Sequence, residues 1–146
     1  MSRRWRHQAQ KKVLSQLQGE TIEAMASRLI RLASETGATQ MKVSYLGKAV
    51  WCLKQSDKWL EAETCSIQRS HIATSPDEIA FALVEAAECA VKQTAGETRA
   101  EGYVLRARKL VEGNPKWKEM IEGNIEKRGL AGFPPSSQAK PILAGP

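Results

Sequence analysis

The apolar positions of the chain change their spacing along its length, and each change marks a boundary between expected elements. From Glu20 to Ser34, Ile22, Met25, Ala26, Leu29, Leu32 and Ala33 fall on one helical stripe, and Thr36-Gly37 supplies a stop. Arg28 and Arg31 lie off that stripe, toward solvent. At Met41 the period shortens to two. Met41, Val43 and Tyr45 alternate with Lys42 and Ser44, which predicts a half-buried strand. Gly47-Lys48 reads as a two-residue hairpin loop that pairs Tyr45 with Val50 and Val43 with Cys52 on one apolar face. The opposite face carries Lys42, Ser44, Trp51 and Leu53. A turn around Gln55-Ser56-Asp57-Lys58 leads to a third strand, Trp59–Cys65. A three-residue loop there places Leu60, Ala62 and Thr64 toward the core, with Trp59, Glu61 and Glu63 beside Trp51. A two-residue loop would bury Glu61 without a partner, which is costly. Ser66–Ile72 either extends this strand or adds a short fourth.

The pattern returns to helical spacing at Ser75-Pro76-Asp77-Glu78, where a cap residue, a proline at the first helical position and a glutamate form a capping box. The helix runs to about Gln93 on Ile79, Leu83, Ala86, Ala87, Ala90 and Val91, and Gly96 ends it. A helix over Glu97–Glu112 follows, with Tyr103, Ala107, Leu110 and Val111 on its apolar side. Gly113-Asn114-Pro115 breaks it, and a last helix groups Trp117, Met120, Ile121 and Ile125 before Lys127-Arg128-Gly129. Residues 129–146 hold Pro134, Pro135, Pro141 and Pro146 and read as an irregular tail. The expected class is α+β: N-terminal helices, a three-stranded antiparallel β-meander, then three C-terminal helices. Glu-Gly-Asn occurs at 112–114 and 122–124, which does not establish a repeat. The order between residues 20 and 93 is similar in outline to a double-stranded-RNA-binding domain. Ser75-Pro76-Asp77-Glu78 stands where that family presents a basic cluster, and the assignment is rejected.

Charge divides the chain into an arm and a body. Residues 1–18 carry Arg3, Arg4, Arg6, Lys11 and Lys12 and no carboxylate, a charge of +5 out of a total of +6. Residues 19–128, expected to form the single domain, carry equal numbers of basic and acidic side chains. Such an asymmetry points to a polyanion, and Trp5 within the arm can stack on a base. The competing reading is an amphipathic helix, since Trp5, Ala9, Val13 and Leu17 recur every four residues. A third is an Arg-rich transit peptide.

Chemistry has few candidates. Cys52, Cys65 and Cys89 are too dispersed for a zinc site and read as small buried residues of a reducing, intracellular compartment, the cytoplasm first. No apolar stretch is long enough for a membrane span. No phosphate-binding, dinucleotide or nucleophile-elbow motif occurs, and no cofactor is expected. His71, Arg69 and a carboxylate from Glu61 or Glu63 are the one conceivable constellation for a metal-independent nuclease. Arg99, Arg106 and Lys109 form a basic stripe read as a solvated face. The leading expectation is a non-enzymatic, nucleic-acid-associated accessory protein that contacts DNA or RNA phosphates through Arg3, Arg4, Arg6, Lys11 and Lys12, with Trp5 stacking. The alternative is an assembly or inhibitor module that binds a protein, or another copy, through an aromatic sheet face of Trp51, Leu53 and Trp59.

Overall fold

A computed structural model describes residues 21–133, and all the regular elements among them are α-helices. They are α1 (Ile22–Glu35), α2 (Thr39–Gln55), α3 (Trp59–Ile72), α4 (Pro76–Val91), α5 (Glu97–Val111) and α6 (Pro115–Lys127). The α+β expectation is overturned: no strand occurs among the described residues, and helices α2 and α3 occupy the place of the meander.

The reason lies in which apolar residues are buried. In α2 the core positions are Val43, Leu46, Ala49, Val50 and Leu53, a helical spacing sustained over the whole segment. The alternation at Met41, Val43 and Tyr45 covers only its first turns. Gly47 is no turn residue. It lies within α2 beside Arg69, where an added Cβ would make ordinary contact with the guanidinium carbon at 3.4 Å. In α3 the buried residues are Ala62, Glu63, Cys65, Ser66 and Ser70, small or polar side chains that leave little hydrophobic pattern to read.

The other four helices lie where the sequence places them, although Leu110 of α5 and Met120 of α6, expected on the apolar stripes, are 40% and 50% exposed. Met25, Ala26, Leu29 and Ala33 bury one side of α1, and Thr21 caps it by accepting from the Ala24 amide at 3.0 Å. Ser75 holds the cap position of α4 with Pro76 at its start, although its hydroxyl makes no capping bond. Asn114 caps α6 by accepting from the Trp117 amide at 3.1 Å. Residues just beyond α6 also belong to the folded body. Leu130 is buried, and the Phe133 carbonyl accepts from Arg108 at 2.7 Å.

The six helices form three hairpins with one period. First helices begin at 22, 59 and 97, steps of 37 and 38; second helices begin at 39, 76 and 115, steps of 37 and 39. Burial repeats with it. Leu46 and Leu83, Ala49 and Ala86, Val50 and Ala87, Cys52 and Cys89, and Leu53 and Ala90 are pairs 37 residues apart, all buried. Asp57 and Ala95, 38 apart, both adopt a left-handed backbone (φ 57° and 58°) two residues before the next hairpin. Each helix packs on its successor, and α6 also packs on α4. The core is correspondingly double. One cluster joins α1, α2 and α3 with Cys89; the other joins α4, α5 and α6 with Leu130. This quasi-one-dimensional build is the logic of stacked helical repeats, in which each hairpin buries its apolar side on its neighbours.

Candidate protein-interaction groove

Two polar clusters fix the helices relative to one another. The first centres on Glu63 of α3, which is buried. Arg99 of α5 donates to both its oxygens, from Nε at 3.0 Å and from an Nη at 3.1 Å. Tyr103 donates its hydroxyl at 2.7 Å, and Gln93 its amide at 2.7 Å. Burial raises the Glu63 pKa, but these donors together lower it further, so the carboxyl is held below the usual carboxylate range. Burial and the bond to Glu63 push the Tyr103 phenol up to about 12.

The second cluster ties α2, α4 and α6. Glu88 of α4 accepts from Lys54 at 2.6 Å and from Arg128 at 2.6 Å. One turn earlier, Glu85 accepts from Arg69 at 3.2 Å. The Arg69 and Arg128 guanidiniums both lie over the Phe81 ring, at 5.5 and 5.1 Å from its centroid. For Glu88 too, burial raises the pKa while Lys54 and Arg128 lower it by more.

With the Glu63 cluster holding α3 and α5 together, a depression of about 290 Å³ remains between them, lined by Leu60, Ile67, Gln68, His71, Arg99 and Tyr103. A second of about 290 Å³ lies between α1 and α3, where Ile30, Leu46 and Ile72 meet Lys42 and His71. His71 and Gln68 line both. Leu60 is 60% exposed, and at the far end of α5 Leu110 is 40% exposed beside Arg106 and Lys109. On α5, Arg99, Tyr103, Arg106 and Leu110 follow steps of four, three and four, so they share one face.

The expected site residues fall as follows. Arg3, Arg4, Trp5, Arg6, Lys11 and Lys12 lie outside the described residues. Trp51 and Trp59 do not stand side by side on a sheet. Both are half-buried against the first core cluster, and Lys92 sits 5.8 Å from the Trp59 ring. Leu53 is 5% exposed, inside that core. The nuclease constellation is not assembled: Glu63 is taken by Arg99, Tyr103 and Gln93, and Arg69 by Glu85. His71 is two residues from Arg69 on the same helix and therefore faces elsewhere. All three cysteines are buried, and burial pushes the Cys65 and Cys89 thiols up to about 11 and about 12. Among the described residues no group of side chains is arranged to hold a metal ion, and no helix is long and apolar enough to cross a membrane.

The groove itself was hidden from the sequence by the strand assignment, which placed Leu60 in a core. The signal available was the spacing of Arg99, Tyr103, Arg106 and Leu110. The fold and groove thus define a stack of helical hairpins with a shallow amphipathic cleft along its first helices. No protein family, curated protein or solved structure matches the chain.

Proposed function

We propose that the chain is a non-enzymatic protein-binding module and that the α3–α5 groove receives a segment of its partner. The observation that carries this is Leu60. A leucine 60% exposed at the mouth of a cleft lined by Ile67 and Tyr103 is the anchor-and-pocket chemistry of an interaction hot spot. The Glu63 cluster supports the same reading, because it fixes the two walls before any partner arrives and lowers the entropy cost of binding. The aromatic face of Trp51 and Trp59 gives way to this surface, since both rings already pack on the core. Selection of a random peptide library on the immobilised full chain tests the proposal. Peptides should be enriched whose binding is lost in Leu60→Asp while the helical circular dichroism is unchanged. Enrichment of none, or of peptides indifferent to Leu60→Asp, overturns it.

A second reading rests on the charge of the first 18 residues, +5 of a total of +6. On this reading the arm binds nucleic-acid phosphates without sequence preference. Anisotropy titrations with labelled duplex DNA should then give a log–log salt slope approaching about −4.5. Replacing Arg3, Arg4, Arg6, Lys11 and Lys12 by Gln in the full chain should abolish the binding.

A further inference from the structure

We infer that the occupant of the α3–α5 groove is an acidic amphipathic helix of about three turns; this rests on the protein-binding reading above. Secondary structure limits the mode of recognition first. Among the described residues there is no sheet edge for strand addition, whereas a cleft between two helices accepts a third laid along it. From Leu60 to His71 the α3 wall is twelve residues long, its ends about 16 Å apart, which matches about three helical turns.

Charge then selects the partner's sign. The α5 wall carries Arg99 and His71 stands on the α3 wall; one turn beyond Tyr103 along the same α5 face, Arg106 lines with Lys109, Leu110 and Ile79 of α4 a neighbouring depression of about 330 Å³. Neither Arg106 nor Lys109 is in an ion pair among the described residues, and both are exposed. Of the nearby acids, Glu97 and Glu101 stand two residues from Arg99, on the other side of the helix, while Glu112 at the C-cap stands three residues beyond Lys109 without forming an ion pair with it. The carboxylate that does line the groove, Glu63, is buried and neutralised by Arg99. Aliphatic anchors in the groove, with unpaired cations one turn further along the same α5 face, suit a helix with leucines on one stripe and glutamates or aspartates beside it. A nucleic acid would find phosphate partners here but no use for Leu60, Ile67 and Leu110.

The test is fluorescence anisotropy on the full chain with three labelled probes. One is a side-chain-stapled helical peptide of about 14 residues with leucines on one stripe and glutamates elsewhere. The second has lysines in place of the glutamates, and the third is a single-stranded DNA of the same charge as the first. The glutamate peptide should bind at least about tenfold more tightly than the lysine peptide and weaken with salt. The Arg106→Glu/Lys109→Glu variant should reverse that preference, and Leu60→Asp should abolish binding of both peptides. Because the basic arm can also attract acids, the series is repeated with Arg3, Arg4, Arg6, Lys11 and Lys12 changed to Gln, where the preference should persist. Equal or tighter binding of the lysine peptide overturns the inference. So does an unchanged preference in the double variant, loss of the preference with the arm neutralised, or DNA binding lost through the same groove variants. Library selection separates the two levels. Peptides that depend on Leu60 but lack acids overturn this inference alone, whereas the absence of any such peptide overturns the protein-binding reading as well.

Discussion

At Glu63 two opposing effects meet, and their balance sets a pH dependence. Burial disfavours the carboxylate, while four hydrogen bonds from Arg99, Tyr103 and Gln93 favour it by more. Glu88 has the same balance with Lys54 and Arg128. A folded-state pKa below the ordinary 4.5 contributes stability that is fully present above that value and is lost as the pH falls through the folded value. Urea unfolding followed from pH 7 to pH 3 should therefore show stability falling below about pH 4.5. Glu63→Gln should cost about 2 kcal/mol at pH 7 and flatten that acid limb. An acid limb as steep as that of the parent chain would sink the assignment. Ser66 is the opposite case. It is fully buried and its hydroxyl has no partner, at the position where the neighbouring hairpins carry Leu29 and Val104. Ser66→Ala removes an unpaired dipole from the core and should raise stability by about 1 kcal/mol, measured by the urea midpoint at unchanged slope.

Among the elements, the turns carry the sharpest test of the hairpin period. Ala95 holds a left-handed conformation that costs an L-residue about 1 kcal/mol, and the next residue, Gly96, has its α-carbon against the Ala90 carbonyl. A Cβ on Gly96 would lie 1.8 Å from that oxygen. Ala95→Gly should stabilise by about 1 kcal/mol, and Gly96→Ala, the reverse exchange one residue on, should destabilise by about 2 kcal/mol. Thermal denaturation of the pair checks this, and shifts of the same sign would contradict the turn geometry. The elements also show what is legible from residues alone. Helices α1, α4, α5 and α6 were readable because apolar stripes of helical spacing are bounded by turn and proline signals, as in Asn114-Pro115 followed by Trp117, Ile121 and Ile125. Helices α2 and α3 were not. Met41, Val43 and Tyr45 gave a local alternation that about three helical turns of core contact, from Val43 to Leu53, override, and Gly47 mimicked a turn inside a helix. In α3 the buried stripe of Ala62, Cys65, Ser66 and Ser70 is too small and polar to stand out, and one of its buried residues, Glu63, is a carboxylate. Losing α3 meant losing the groove, because Leu60 and His71 share a wall only on a helix.

On the scale of the whole molecule, the hairpins are joined by two core clusters and by Glu88, which takes Lys54 from the first hairpin and Arg128 from the end of the third. Removing the centre of such a half-buried triad leaves two cations with reduced compensation. Glu88→Gln should cost about 3 kcal/mol, more than either Lys54→Met or Arg128→Met, and should split the single unfolding transition into two as the halves uncouple. Calorimetry distinguishes these outcomes, and one sharp transition in Glu88→Gln would show that the apolar contacts alone couple the hairpins. The period of 37 to 39 residues was invisible in the sequence for a physical reason. Equivalent positions need only be buried, and Val50 with Ala87, or Leu53 with Ala90, satisfy that without resembling each other. The same clasp has a mechanical meaning. A chain whose helices touch mainly their sequence neighbours transmits tension from one end to the other through the stack rather than across it. With one carboxylate taking a cation from each side, load applied at the ends converges on Glu88, and the molecule would hold as a single stiff spacer until that residue lets go and the outer hairpins peel away in turn.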